Sequence, residues 1–84
     1  MINAQEIDQM IVYKNYTIKS FPLQLIANGQ WKTHISISWE RDGIRTSRPF
    51  SMDKTFATQE EAHVYGIEWG QRIIDRKVAD SWVD

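Results

Sequence analysis

The sequence contains no cysteine, only two prolines and only four glycines. Without cysteine, disulfide bonds, thiolate metal sites and a catalytic thiol are excluded, and the absence is compatible with a reducing cytoplasm. No apolar run approaches the roughly 20 residues that are needed to cross a bilayer. The first ten residues lack a basic segment followed by an apolar stretch, so no signal peptide is expected. These absences predict a cytoplasmic protein that has no membrane segment.

Motifs for catalysis and for metal binding are also lacking, and we expect a protein that is not an enzyme and that holds no cofactor. His34 falls in a predicted strand and His63 in the first turn of a predicted helix, with no third ligand at a recognisable spacing. Both are expected to be polar residues at the surface or its rim. Serines are numerous, but a Ser-His-Asp site depends on a geometry that residue spacing does not supply.

What is present is the composition of a small folded chain. The 84 residues are 42% hydrophobic and include four Trp, which predicts one domain over residues 1–84. Residues 14–54 carry seven Lys or Arg against three Asp or Glu, a net charge of +4, whereas residues 55–84 carry three against six, a net charge of −3. The middle of the chain is therefore basic and its C-terminal part is acidic.

The most regular pattern is an alternation from Trp31 to Glu40, which is typical of a strand with one buried face. The buried parity is Trp31, Thr33, Ile35, Ile37 and Trp39, and the outward parity is Lys32, His34, Ser36, Ser38 and Glu40. Asp42-Gly43 then predicts a hairpin turn, after which residues 44–52 return. Whether the loop has two or four residues, paired positions sum to 85.

This register can be tested against charge. It sets Glu40 opposite Arg45 and Lys32 opposite Asp53, and opposite charges across a strand pair support it. Arg48 conflicts with the register because it faces inward, next to Pro49. We expect a bulge at that position or an edge strand from which the guanidinium reaches water.

The segment before the hairpin predicts further strands. Met10 to Tyr13 begins one strand, and Tyr16, Ile18 and Phe21 follow in alternation until Pro22 bends or ends the segment. Asn28-Gly29 is the strongest short turn signal before the hairpin.

A helix is predicted after the sheet, from about Gln59 to Val78. Thr58 and Glu61 form the pattern of a capping box at its start. The helix carries two apolar stripes. The first, expected to cover the sheet, contains Ala62, Gly66, Trp69 and Ile73, flanked by Tyr65 and Gly70, and the glycines would permit a close approach.

The second stripe is Val64, Ile67, Ile74 and Val78, extended by Trp82 if the helix continues. One interpretation is a homodimer contact, because small domains often complete their burial in this way. The other is burial within the chain, under residues 2–12. Asp75 could cap the helix or pair locally with Arg72 or Lys77.

These features resemble a family of small bacterial proteins with no established function, built as a meandering antiparallel sheet followed by one long helix. The matching segments are Tyr13-Lys-Asn-Tyr16, Pro22, Leu25, Gly29 with Trp31, Asp42-Gly43, Phe50, Phe56-Ala-Thr-Gln-Glu-Glu-Ala62 and Gly70-Gln-Arg-Ile-Ile-Asp75. A Gly is usual in that family at the position of Asn15 and a basic residue at that of Gln71. Most matching positions are turn, cap or core residues, so the resemblance implies a fold and no chemistry.

The expected fold is therefore α+β: an antiparallel meander of three or four strands over residues 10–57, with a helix over 58–80 packed on one face and a loose arm over 1–9. We expect a non-enzymatic interaction domain that binds a second copy or another protein through its helix. The alternative is a weak single-stranded nucleic-acid-binding domain that uses Lys32, His34, Arg45 and Arg48. The outward parity of residues 31–40 carries no aromatic ring for base stacking, which favours solvated charges instead.

Overall fold

The computed structural model describes residues 9–79, which form five antiparallel strands followed by one helix. The strands are β1 (Gln9–Tyr13), β2 (Tyr16–Ser20), β3 (Leu23–Gln24), β4 (Trp31–Arg41) and β5 (Ile44–Phe56), and the helix is α1 (Gln59–Ala79). The predicted α+β fold, a sheet followed by a C-terminal helix, is confirmed. Residues 1–8 of the predicted arm, and Trp82, lie outside the described residues.

The sheet is a meander in which β4 is central. β1 pairs with β2, β2 and β3 both pair with one side of β4, and β5 pairs with its other side. β2 and β3 follow the same register, because Thr17 lies opposite Ser38 and Leu23 lies opposite Lys32. They form one strand that is interrupted at Phe21 and Pro22. The interruption was predicted because proline has no backbone N–H to donate to the neighbouring strand.

Two-residue turns close the β1–β2 and β4–β5 hairpins. Lys14 and Asn15 adopt φ values of 51° and 70°, and Asp42 and Gly43 adopt 54° and 79°. Two successive residues with positive φ form the turn that matches the twist of the flanking strands. Asn15 therefore occupies the left-handed conformation that a glycine would adopt at that position.

The register of the long hairpin is confirmed from Arg41–Ile44 as far as His34–Ser51. It shifts between Lys32 and His34, so that Lys32 lies opposite Thr55. A bulge is therefore present, but at the far end of β5 and not beside Pro49. Proline is tolerated there because β5 pairs on one side only and Pro49 directs its nitrogen away from β4.

The helix packs directly on the sheet through its two glycines. A Cβ atom on Gly66 would lie 2.9 Å from Ile35 Cγ2, and one on Gly70 would lie 3.0 Å from Ile18 Cδ1. The core between the layers contains Ile18, Ile35, Ile37 and Ile74. The close approach predicted for the glycines is thus what brings the helix backbone onto the β-branched side chains of the sheet.

Candidate functional site

The predicted second stripe of the helix is divided between the core and the surface. Ile74 is fully buried and belongs to the core, and Ile67 is partly buried against it. Only Val64 and Val78 are largely exposed, at 52% and 48%. A helix rises about 1.5 Å per residue, so these two side chains lie about 20 Å apart along the axis. The four aliphatic residues therefore do not form one continuous apolar surface.

The outer side of the helix is predominantly charged. Glu60, Glu68, Arg72 and Arg76 are all exposed. A helix with this surface has one polar face and one face that covers the core, which is the ordinary amphipathic arrangement. It offers a second copy of the chain little apolar area.

Asp75 joins the helix to the first hairpin turn. Tyr13 Oη and Lys14 Nζ each donate a hydrogen bond of 2.8 Å to Asp75 Oδ1. These hydrogen bonds, with the Lys14 charge, hold the pKa of the Asp75 carboxyl below its usual value of 3.8. The sequence suggested that Asp75 pairs locally with Arg72 or Lys77. Its carboxylate is instead bound by Tyr13 and Lys14, because the turn between β1 and β2 lies against the C-terminal half of the helix.

Lys77 lies against the aromatic end of the sheet. Its side chain is almost fully buried, and its Nζ lies 4.4 Å from the centroid of the Trp39 ring. Trp39 in turn packs against Tyr16 with 5.6 Å between ring centroids. A desolvated ammonium over an indole is a favourable cation–π arrangement. This cluster therefore holds the C-terminal part of the helix against the sheet. The rings of Trp39 and Tyr16 lie on the helix side and are not on the open face.

His63 is buried, and its predicted position at the surface or rim is wrong. The side chain is 3% exposed, and its Nδ1 forms a hydrogen bond of 2.8 Å with the buried Ser20 Oγ. The first turn of the helix lies over β2 at a point where Gly66 allows close packing, so the ring is enclosed. Because its ring is buried between the helix and the sheet and is hydrogen-bonded there, we interpret His63 as a structural residue.

Three of the four residues assigned to a nucleic-acid surface lie on the same face. Lys32, His34 and Arg45 follow the parity of β4 and β5 that faces away from the helix, which we call the open face. Arg48 lies opposite Ile37 and shares the helix side of the sheet. Its side chain is nevertheless exposed, because β5 is an edge strand, as the sequence suggested. Arg48 does not belong to the open face.

The open face contains an aromatic ring that lies outside β4, that of Phe21, which was predicted only to continue the alternation of Tyr16 and Ile18. Phe21 follows the parity of Thr17 and Lys19, and its ring centroid lies 6.0 Å from that of His34 with an interplanar angle of 31°. The Phe21 amide donates to the His34 carbonyl at 2.9 Å, which continues the ladder past the end of β2. Strict alternation from Tyr16 and Ile18 would have identified this orientation, since Phe21 has the opposite parity.

The charges of the open face are partly satisfied within the chain. Lys32 Nζ lies 3.4 Å from Asp53 Oδ1, so the predicted ion pair forms despite the shifted register. Arg45 lies opposite Glu40, but its guanidinium donates to Ser38 Oγ at 3.1 Å. Partial burial, together with the Lys32 charge, holds the pKa of His34 below its usual value of 6.5. The neutral form of His34 is therefore favoured at neutral pH.

Exposed apolar side chains mark the other half of the open face. Met10 and Val12 on β1 are 64% and 74% exposed, and Leu23 on β3 is 52% exposed. Met10 pairs with Lys19 and Val12 with Thr17, which places both on the side away from the helix. The exposure of Met10 and Val12 was not predicted, because Met10 to Tyr13 is an unbroken apolar run.

Among the residues that the structure describes, two shallow recesses can be named. One of about 590 Å³ lies where β5 leads into the helix and is lined by Thr55, Phe56, Ala57, Thr58, Glu60, Glu61 and Val64. The other, of about 200 Å³, is lined by Asn15, Thr17, Ser38, Trp39, Glu40 and Arg45. Neither lining includes a histidine, the side chain that ordinarily titrates near neutral pH.

Within residues 9–79, no three His, Asp or Glu side chains come together as a metal site. Over the same residues, no helix has the length and apolar character required to cross a membrane. Comparison with models of protein families gives a match over residues 6–84 to a family described as a domain of unknown function (DUF6566). Comparisons with curated proteins and with solved structures give no match.

Proposed function

The chain belongs to the DUF6566 family, whose function is unknown, and we propose from its geometry that it is a non-enzymatic interaction domain that self-associates. The observation that supports this proposal is the exposed apolar surface of β1 and β3. Met10, Val12 and Leu23 are each more than half exposed on a sheet face that the helix does not cover. Met10 and Val12 are neighbours on this face of β1, whereas Leu23 lies four residues beyond Lys19, the partner of Met10. Exposed apolar side chains that lie side by side are characteristic of protein contacts.

Self-association through the sheet fits the structure better than self-association through the helix. On the helix, Val64 and Val78 are isolated among charged side chains, and Ile74 is already covered by the chain's own sheet. A charge at Ile74 would be introduced into the core and would unfold the monomer. Variants of Ile74 are therefore unsuitable as tests of an interface.

Light scattering over a range of protein concentrations tests the proposal. The average molar mass of the wild type is expected to increase from the chain mass of 9.9 kDa toward twice that value. The protein concentration is raised from about 10 μM to about 1 mM, a range that covers weak dimers. The pair Val64→Asp and Val78→Asp is expected to leave that increase in mass unchanged. If the wild type keeps the mass of one chain at every concentration, self-association is ruled out. If the mass of the Val64→Asp, Val78→Asp variant no longer increases, the contact lies on the helix.

Single-stranded nucleic-acid binding is the second candidate, and the contact between Phe21 and His34 favours it. Single-strand-binding surfaces combine cations with rings on which bases stack. On the open face, Lys32 lies two residues from His34 along β4, whereas the Arg45 guanidinium reaches Ser38, four residues from His34 in the other direction. The acidic partner of Lys32, Asp53, limits the positive charge that is available.

Fluorescence anisotropy of a labelled single-stranded oligonucleotide at low salt tests this candidate. If the open face binds, Phe21→Ala is expected to weaken binding about tenfold, since stacking contributes about 1–3 kcal/mol per base. Lys32→Glu with Arg45→Glu is expected to abolish it, and added salt to weaken it steeply. Arg48→Glu is the matched control, because it removes an exposed arginine from the same hairpin on the other side of the sheet. No binding by the wild type at low salt would eliminate the candidate.

A further inference from the structure

We infer that a second copy of this chain adds to the outer edge of β1, antiparallel to it, so that the two sheets join across a two-fold axis. The inference rests on the proposed self-association and names the contact that produces it. Over the described residues, β1, β5 and the two-residue strand β3 each pair with one strand only, and β1 and β5 are the longer of these edges. An unpaired strand edge is a template for pairing with another chain unless features of the sequence block it.

The direction of the backbone groups on each edge follows from the register. The Phe21 amide bonds to the His34 carbonyl, so the odd-numbered residues of β2 bond to β4. The even-numbered residues of β2 then bond to β1, because alternate residues of a strand face opposite neighbours. Ile18 lies opposite Ile11. On β1, the backbone groups that point outward are therefore those of Met10 and Val12.

The outer edge of β5 is blocked by three features. Pro49 lies opposite Ser36, a position whose amide nitrogen points outward, so the middle of that edge has no donor. Between the pairs His34–Ser51 and Lys32–Thr55, three residues of β5 bulge opposite one residue of β4. Arg48, Asp53 and Lys54 add charges along the same strand. Proline, bulges and charges are the ordinary devices that prevent strand addition.

The outer edge of β1 carries none of these features within its described residues. Its sequence is Gln-Met-Ile-Val-Tyr, which has no charge, no proline and a high content of residues that favour strands. The two side chains next to its free backbone groups, Met10 and Val12, are also exposed apolar residues. The contrast between the two edges points to β1 as the one that pairs.

A second copy of this chain is the occupant because the edge is complementary to itself. Antiparallel pairing around a two-fold axis at Ile11 sets Met10 of each copy opposite Val12 of the other. That register bonds all the outward backbone groups of both residues and buries their side chains against each other. An edge of five residues is small beside a typical interface of about 1,600 Å², so we expect a dissociation constant in the micromolar range.

Charge variants at the two exposed positions test the contact and its register by light scattering. Met10→Lys with Val12→Lys places like charges opposite each other and is expected to weaken dimerisation at least about tenfold. Met10→Glu with Val12→Lys places opposite charges together only when the axis passes through Ile11, and is expected to keep the dimer. A register that pairs Met10 with Met10, or one that pairs Val12 with Val12, would bring like charges together at that position in both variants.

The matched control places the same two lysines on the other edge, as Ser47→Lys with Ser51→Lys. Both serines are exposed and have outward-pointing amides on β5, so the dimer is expected to persist. All these positions are exposed, and circular dichroism should show that each variant folds. Amide exchange gives an independent readout, since the Met10 and Val12 amides should exchange more slowly as the protein concentration rises.

The possible outcomes distinguish the β1 contact from self-association in general. A wild type that dimerises together with a double-lysine β1 variant that dimerises equally well would overturn the β1 contact and leave self-association standing. Loss of the dimer in both β1 variants, with the control intact, would support the edge and overturn the axis at Ile11. Loss in the β5 control alone would move the contact to the opposite edge. A monomeric wild type would overturn both proposals.

Discussion

Replacement of Gly70 by alanine tests how the helix is held on the sheet. A new Cβ at this position would lie 3.0 Å from both Cδ1 and Cγ2 of Ile18 and 3.3 Å from its Cγ1. Ile18 is fully buried, so its side chain has no open space into which it can move. The helix or the strand beneath it must shift to accept one methyl group.

Two opposing effects set the magnitude. Alanine is favoured over glycine in a helix interior by about 1 kcal/mol, so an unobstructed Gly70→Ala would stabilise the protein by that amount. Overpacking a well-filled core by a methyl group costs about 1–3 kcal/mol. The contacts with three atoms of one rigid, β-branched side chain place this position in the upper half of that range. The expected net change is a loss of about 1–2 kcal/mol in the free energy of unfolding.

Thermal and urea unfolding, followed by circular dichroism, measure this loss. A decrease of 1 kcal/mol lowers the Tm of a domain of this size by about 4–8 °C. Glu68→Ala is the control, since it adds an alanine to an exposed position of the same helix. Ile18→Val removes Cδ1 and, alone, should cost about 1 kcal/mol.

Combination of Ile18→Val with Gly70→Ala should cost less than the sum of the two single changes, by about 0.5–1 kcal/mol. The reason is that the valine lacks one of the two atoms that a Cβ at Gly70 would approach most closely. If Gly70→Ala stabilises the protein by about 1 kcal/mol, as at an exposed glycine, the close approach of helix and sheet is refuted.

Three further predictions concern the turns and the ends of the helix. Thr58→Ala removes the hydroxyl that accepts from the Glu61 amide at 3.1 Å, and should lower the free energy of unfolding by about 1 kcal/mol in urea; an unchanged midpoint would contradict the capping role. Asn15→Ala should cost about 1–2 kcal/mol because φ is 70° there, whereas Asn15→Gly should be nearly neutral, and equal midpoints for the two variants would argue against a left-handed turn. The pKa of Asp75 is depressed in the folded state, so its stabilising contribution is present above the usual carboxyl value of 3.8 and is lost as the pH falls below it. Asp75→Asn should therefore lower Tm at neutral pH and flatten the acid limb of a Tm-against-pH profile, and parallel acid limbs for variant and wild type would oppose this.

Local patterns predicted the secondary structure of the described chain closely. The helix was expected from about Gln59 to Val78 and runs from Gln59 to Ala79, with the reciprocal hydrogen bonds of the capping box between Thr58 and Glu61 in place. The long hairpin has the predicted register as far as His34 because a two-residue turn determines which residues face each other. Turn, cap and alternation signals depend on neighbours in the sequence, so they can be identified without the fold.

The candidate surfaces were harder to predict, for two reasons. Ile74 belongs to a stripe for which both a dimer contact and burial within the chain were open, and it lies in the core, because the glycines bring the helix backbone so close that a wider arc of the helix is covered. His63 is buried for the same reason. Phe21 was predicted to continue the alternation of Tyr16 and Ile18 up to Pro22, and its contact with His34 depends on the neighbouring strand β4.

The sequence by itself determined the layout of this protein: an antiparallel meander, then a capped helix, with a basic sheet and an acidic C-terminal part. Each of these properties depends on residue order and on local geometry. The tertiary structure alone decided which residues meet: Asp75 with Tyr13 and Lys14, Lys77 with Trp39, and His63 with Ser20. It also decided that the edge of β5 is blocked and that the apolar edge of β1 is exposed. The outward direction of a backbone amide depends on which strand lies on its other side, and that neighbour is chosen by the fold.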